Sequence, residues 1–200
     1  MAYSLDPSTD SCYEGTTCLV NKFDIRDEVR LSEVEAQITF AKAALLEDNL
    51  VDVSFGFSHF KKIHEFLFCD LYDWAGKTRT VNISKKKTKF ADFKLIEEIG
   101  NKLFCKVENG YLSNLSFDSF VERIANLYND INNLHPFREG NGRTQRIYFT
   151  QLIRHYGYDI NFSEVDVDFL MIATIKASQG INDFLIDFFR EAIVKIDFQK

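Results

Sequence analysis

The 200-residue sequence predicts an all-α domain. Three observations carry that prediction. Apolar residues recur at helical spacing through most of the chain, only two prolines interrupt it, and a single short segment alternates as strands do. A tenth of the chain, 20 residues, is Phe, which is enough aromatic volume for a sizeable core. No internal repeat, low-complexity tract or long Pro/Gly/Ser linker divides it, so residues 1–200 read as one domain.

The elements follow in order. After Asp27, Val34, Ile38, Ala41 and Leu45 fall at i, i+4, i+7 and i+11, one stripe of a first helix. A second helix starts at Ser58, whose hydroxyl would cap it, and shows Phe60, Ile63, Leu67 and Leu71 on one face. Residues 80–93 break the pattern. Thr80–Ile83 alternates, Ser84–Lys87 is polar and Thr88–Phe93 alternates again, which predicts a short β-hairpin. A third helix fits 94–108. Ser116 caps a fourth, with Phe117, Phe120, Ile124, Leu127, Ile131 and Leu134 as its stripe. His135-Pro136 must end it, because proline disfavours helix for the residue before it. A fifth helix starts after Gly142, and two more fit 163–178 and 181–197.

Charge and composition exclude several classes. The net charge of −6 argues against nucleic acid as the main ligand. No run reaches the roughly 18 apolar residues that a membrane span needs. The N-terminus lacks the basic-then-apolar pattern of a signal peptide, so the cytoplasm is the expected compartment. Cys12, Cys18, Cys69 and Cys105 have no CxxC spacing and read as reduced apolar residues rather than a zinc site or disulfide framework. Two basic islands stand out on this acidic chain. Residues 77–94 hold seven Lys/Arg against one Asp, and residues 138–154 hold four Arg against one Glu. The lysine run also suits a solvated hairpin tip that resists edge pairing.

The chemistry concentrates in His135-Pro-Phe-Arg-Glu-Gly-Asn-Gly-Arg-Thr-Gln-Arg146. Physically this is a loop that leaves one helix, turns on Gly140 and Gly142 and enters the next. Glycines there let successive backbone N–H groups point into one concavity, an anion nest at a helix N-terminus. Arg143 and Arg146 are three residues apart, on one helix face, and can bind several phosphate oxygens together. Glu139 is a hard carboxylate suited to Mg²⁺ between those phosphates. His135 can take a proton near neutral pH. A base, a metal ligand, a phosphate cradle and two cationic clamps within one short stretch suit transfer of a phosphate-containing group.

That stretch resembles the signature of the Fic-domain family, His-Pro-Phe-x-(Asp/Glu)-Gly-Asn-Gly-Arg-x-x-Arg, at every defined position. Tyr13-Glu-Gly-Thr, Leu19-Val-Asn-Lys, Ile25-Arg-Asp and Leu71-Tyr-Asp-Trp-Ala-Gly-Lys-Thr-Arg79 are similar to segments of short bacterial Fic proteins. The resemblance implies an all-α Fic fold, a helical bundle with a β-hairpin flap at about 80–93. It implies a protein adenylyltransferase that moves AMP from ATP to a target hydroxyl and releases pyrophosphate. His135 would be the base and Glu139 the Mg²⁺ ligand. The Gly140–Asn141–Gly142 backbone, with the Asn141 side chain, would form the anion hole, and Arg143 and Arg146 would grip the distal phosphates. Phe137 would anchor the loop in the core. The flap, at Val81, Asn82, Ile83, Lys89 and Phe90, would dock the target as an added strand.

Doc-type relatives, which transfer the γ-phosphate, carry Ala and Lys where this chain has Gly140 and Gly142, so the resemblance favours AMP transfer. No Ser or Thr is followed by Glu four residues later, so the self-inhibitory motif of many Fic proteins is missing from these residues. The resemblance then implies a toxin silenced by a small separate antitoxin, with DNA gyrase and topoisomerase IV as targets. The phosphate-reading motif leaves another nucleotide donor open, and a nucleotide-dependent binding module is the non-enzymatic alternative. His59, His64 and His155 read as structural or solvent-facing. Ser178–Asp183 reads as the end of one helix and the cap of the next, in a region that lies near the adenine in relatives.

Overall fold

The structure, a computed structural model, describes residues 4–5, 11–47, 54–85 and 88–196. Seven α-helices dominate it, as the periodicity predicts: α1 Glu28–Glu47, α2 Phe57–Phe68, α3 Ile96–Glu108, α4 Phe117–Leu134, α5 Asn141–His155, α6 Val167–Ala177 and α7 Asp183–Ala192. A 3₁₀ turn at Phe93–Leu95 leads into α3. Helix α5 packs on α1, α2 and α4, and α7 packs on α4 and α6.

The core is aromatic. Phe60, Phe68, Phe104, Phe120, Phe137, Phe149 and Phe189 are all less than 2% exposed. Tyr148 of α5 sits edge-on among Phe60, Phe104 and Phe149 and donates its hydroxyl proton to the Phe55 carbonyl at 2.7 Å. Edge-to-face rings pack their positive rims on neighbouring π-faces, which lets many aromatics share one core. Helix α2 buries residues on more than one face, including Phe57, His59, Ile63, His64 and Phe68. Polar α5 side chains that enter the core are hydrogen-bonded: Gln145 donates to the Tyr128 carbonyl and Gln151 to the Leu46 carbonyl.

Several boundaries depart from the sequence reading. Helix α1 is rotated by about one residue, roughly 100°. Its buried positions are Leu31, Glu35, Thr39 and Leu46, while Leu45 is 61% exposed and Val34 and Ile38 are only half-buried. Apolar residues lie all round this helix, so the apolar stripe did not single out the inner face. Helix α2 begins at Phe57 after Gly56, which makes no side-chain cap, and Ser58 lies exposed within it. Helix α5 begins at Asn141 rather than after Gly142. The last helix stops at Ala192, and β5 (Val194–Lys195) pairs antiparallel with β4 (Tyr158–Asp159). The β-branched pair Ile193-Val194 suits that extended end. Ser116 caps α4 as expected, accepting from the Ser119 N–H.

The hairpin is present but short. β2 (Ile83–Lys85) pairs with β3 (Thr88–Lys89), and β1 (Ser4–Leu5) adds a third strand on the other edge of β2, with Ser4 opposite Ser84 and Leu5 opposite Ile83. A two-residue strand carries no periodicity, so nothing in the sequence announces β1. The four cysteines are unbridged. Among the described residues no helix is long and apolar enough to cross a membrane.

The register of α1 is testable by paired truncations. Leu31→Ala should lower stability by about 2 kcal/mol or more, and Leu45→Ala should stay within about 0.5 kcal/mol of wild type, read from urea midpoints. Equal losses would restore the stripe predicted from sequence.

Candidate active site

The loop between α4 and α5 begins where proline stops a helix. α4 closes at Leu134, and His135 follows as its C-cap with φ 45° and ψ 61°, in the left-handed region. That turn points the His135 carbonyl away from the helix, where Arg79 Nε donates to it at 2.9 Å. His135 Nδ1 lies 3.1 Å from the Asn132 carbonyl. A carbonyl only accepts, so Nδ1 carries the proton and Nε2 is the acceptor nitrogen of the neutral ring. The Phe90 ring stacks on the imidazole with centroids 3.7 Å apart.

Phe137 drives the loop into the core. Its ring, fully buried, stacks on His64 at 3.8 Å and on Phe60 at 5.6 Å. The Phe137 N–H donates to Asn141 Oδ1 at 2.8 Å, and Asn141 Nδ2 donates back to the Phe137 carbonyl at 2.8 Å. The Asn141 side chain thus closes the loop on itself. Gly140 has φ 80°, and a Cβ there would lie 2.2 Å from the Phe68 ring. No other residue fits. Gly142 differs, since an added Cβ would meet nothing closer than Arg146 Nη1 at 3.4 Å. As the first turn of α5, Asn141, Gly142 and Arg143 direct N–H groups that have no intrahelical acceptor toward the loop's concave side.

Glu139 is half-buried. Its Oε1 accepts the Gly140 N–H at 2.8 Å and lies 3.7 Å from Arg143 Nη2. Arg143 lies over the Phe68 ring, 4.9 Å from its centroid. It donates to Thr39 Oγ1 at 3.2 Å and forms an ion pair with Glu35. Arg146 makes no ion pair among the described residues. Both arginines line a groove of about 730 Å³ between α1 and α5, with Ala36, Thr39 and Phe40 on the opposite wall.

The flap residues divide. Val81 and Ile83 are buried and anchor the hairpin, and Asn82 Oδ1 closes its base by accepting the Phe93 N–H at 3.0 Å. Lys89 is exposed, while Phe90 covers His135. β1 occupies one edge of β2, so β1 and β3 are the two edge strands of this sheet among the described strands.

Four functional supports escaped the sequence reading. Arg79, 4% exposed, donates to three carbonyls: His135, Val81 at 2.7 Å and Ala91 at 2.5 Å. Burial pulls its pKa to about 10, still charged at neutral pH. It therefore ties both ends of the hairpin segment to the His135 carbonyl. His64, fully buried, accepts the Gly76 N–H on Nδ1 at 2.8 Å, so Nε2 carries the proton and donates to the Glu139 carbonyl at 3.0 Å. Glu35 and Tyr72 complete the surround of Arg143. Tyr72 and Arg79 lie in the 71–79 segment whose resemblance flagged it, whereas Glu35 gave no signal beyond being a carboxylate at i−4 from Thr39. In the 178–183 region, Gly180 at φ 89° ends α6, with the Ile181 N–H reaching the Lys176 carbonyl. Asn182 does not cap α7 with its side chain, which donates to Asn126 at 2.7 Å.

Comparison with known proteins decides the family. The Fic/DOC family model matches residues 54–153. The chain is 37% identical over 182 residues to "Probable protein adenylyltransferase Fic" of Salmonella typhimurium, covering 90% of each. This chain belongs to the Fic/DOC family. It is also 36% identical to the protein adenylyltransferase VbhT of Bartonella schoenbuchensis, covering 91% of this chain but 38% of that longer protein. Among solved Fic structures, BepC of Bartonella tribocorum with bound AMPPNP superposes with TM-score 0.85 at 25% identity, covering 94% of this chain and 98% of that one. A Fic domain from Bartonella quintana with bound ADP does so with TM-score 0.85 at 26% identity, covering 93% and 95%.

His64 gives the site a pH signature. Burial chiefly, with the Arg143 charge adding to it against the Glu139 hydrogen bond, lowers its pKa from 6.5 to about 3. Below pH 6.5 the unfolded chain takes up a proton there that the folded protein refuses, so stability present above pH 6.5 is lost as pH falls toward 3. The unfolding free energy from urea titration without divalent cations should fall faster below pH 6.5 in wild type than in His64→Asn, by up to about 1.4 kcal/mol per pH unit. Parallel curves would remove His64 as the cause.

Proposed function

We propose that this chain is a protein adenylyltransferase that uses Mg²⁺ and ATP, acting as a single Fic unit over residues 1–200. One observation carries the reading. His135, with its acceptor nitrogen set by Asn132, stands five loop residues before a helix N-terminus flanked by two groove-facing arginines. The adenylyltransferase names of the relatives support it, as does the ATP analogue named with BepC.

The target hydroxyl would give its proton to His135 Nε2 as its oxygen attacks the α-phosphorus. The bond from the α-phosphorus to the α,β-bridging oxygen breaks, AMP is esterified to the target and pyrophosphate leaves. First-turn N–H groups of α5 would hold the α-phosphate oxygens, and Arg143 and Arg146 the distal phosphates, so that the attack runs in line. No cluster of three or more His, Cys, Asp or Glu that could cage a metal occurs among the described residues. Glu139 would hold Mg²⁺, which ordinarily takes one or two carboxylates and completes its shell with phosphate oxygens and water. When bound, the ion supplies charge neutralisation at the phosphates. The open edge of β3, next to Phe90 and the base, would receive the target strand by main-chain pairing. Nearby lysines would favour an acidic segment.

We further infer a cytoplasmic toxin held silent by a separate small antitoxin, with DNA gyrase or topoisomerase IV as target. Supporting this are the absent self-inhibitory motif and the groove beside Arg146, whose rim carries Phe40 at 79% exposure. The intact Gly140 and Gly142 favour AMP over γ-phosphate transfer.

Purified protein, Mg²⁺ and bacterial lysate with ATP labelled at either the α- or the γ-phosphate separates the readings. Label should enter protein from the α position only, and His135→Ala should abolish it while ATP affinity stays within about twofold, because binding needs no base. Label from the γ-phosphate would make the protein a kinase. A His135→Ala protein that still labels its target would sink the assigned base. Label from UTP or GTP instead would change the donor. A gyrase or topoisomerase IV subunit should be among the labelled bands.

A further inference from the structure

Arg143 carries contacts that the twelve-residue motif does not explain. Glu35 and Thr39 stand one turn apart on the inner face of α1 and reach it together. Glu35 Oε1 accepts from Arg143 Nη2, and its Oε2 accepts the hydroxyl proton of Tyr72. Thr39 Oγ1 accepts from Arg143 Nη1 at 3.2 Å and donates its own proton to the Glu35 carbonyl at 2.7 Å. Tyr72 is 1% exposed and stacks on Trp74 at 4.3 Å. Burial, and next the Glu35 charge, push the Tyr72 phenol far above its ordinary range, so it stays a donor. A carboxylate with a side chain only 10% exposed is costly unless paired, and here each oxygen has its own donor. Glu35 and Tyr72 do not line the α1–α5 groove, whereas Thr39, Arg143 and Arg146 do. Glu35 thus approaches the guanidinium from the protein side, opposite the groove.

We propose that Glu35, backed by Tyr72, is a positioning residue that holds the Arg143 guanidinium in one orientation before nucleotide arrives. A guanidinium has five N–H donors. Glu35 and Thr39 take one on each Nη, and the Phe68 face limits tilt, so the remaining donors are presented to the groove. Ordering a long side chain in advance removes that cost from ligand binding. The inference rests on the reading of Arg143 as a clamp on phosphates beyond the α position, so its mark is selectivity by phosphate count.

The test is calorimetric titration of wild type, Glu35→Gln and Tyr72→Phe with ATP, ADP and AMP at fixed Mg²⁺. Glu35→Gln keeps the shape and removes the charge. It should weaken ATP and ADP by about tenfold and leave AMP unchanged, with Tyr72→Phe losing a smaller amount in the same order. If Glu35→Gln binds ATP as tightly as wild type or more tightly, Glu35 is idle or a competitor for Arg143 and the proposal is overturned. An equal loss for all three nucleotides means general damage and also overturns it, and Tyr72→Phe supplies the same comparison if Glu35→Gln does not fold. Wild type that fails to prefer ATP to AMP would instead bring down the phosphate-clamp reading of Arg143, with the proposal on top of it.

Discussion

One carboxamide holds the loop in the shape everything else uses. Asn141 bonds both backbone polar groups of Phe137, and the same residue opens α5. Chain closure over five residues lets the Phe137 ring drop between Phe60 and His64. His64 then takes the Glu139 carbonyl from below. The loop's polar groups are thereby satisfied from inside, which leaves its first-turn N–H groups and the Glu139 carboxylate to face outward. The Phe-rich core is thus a floor for this loop as well as a source of stability, since rings that shift would shift the loop with them.

Three arginines frame the loop, and each is satisfied differently. Arg79 is surrounded by carbonyls and serves as a buried strut between the hairpin segment and His135. Arg143 has a carboxylate behind it. Arg146 has no anionic partner among the described residues and lies at the open groove. Positive charge is therefore most fully met on the protein side and least met where the groove opens. Such a gradient suits an anionic ligand, because the charges that cost most to bury already have partners.

The sequence carried the helices well because Phe, Ile and Leu repeat at helical spacing in α2 and α4, where burial and apolarity coincide. It misjudged α1, where the inner face carries Glu35 and Thr39 and the outer face carries Phe40 and Leu45. There the mutual pairing of Glu35, Thr39, Tyr72 and Arg143 overrides the rule that apolar residues lie inside. The candidate site residues within 135–146 were legible because they stand in a fixed order within one short loop. Their supports were not, since Arg79 and His64 act through backbone carbonyls that any residue can offer. Side-chain direction was equally hidden: Asn141 turns inward although Gly142 beside it is exposed. β1 was invisible because its pairing partner lies 80 residues away.

The two glycines of Gly-Asn-Gly belong to different owners. Gly140 is demanded by the Phe68 ring and by its own backbone angle, so the folded state itself selects it. Gly142 has room for a side chain, and only a ligand seated before the helix would object. A mutational library screened for expression or melting temperature would accordingly purge changes at Gly140 and let those at Gly142 through. The variants that survive such a screen could then differ in reaction while sharing one fold, which makes position 142 a place where catalytic divergence costs the scaffold little.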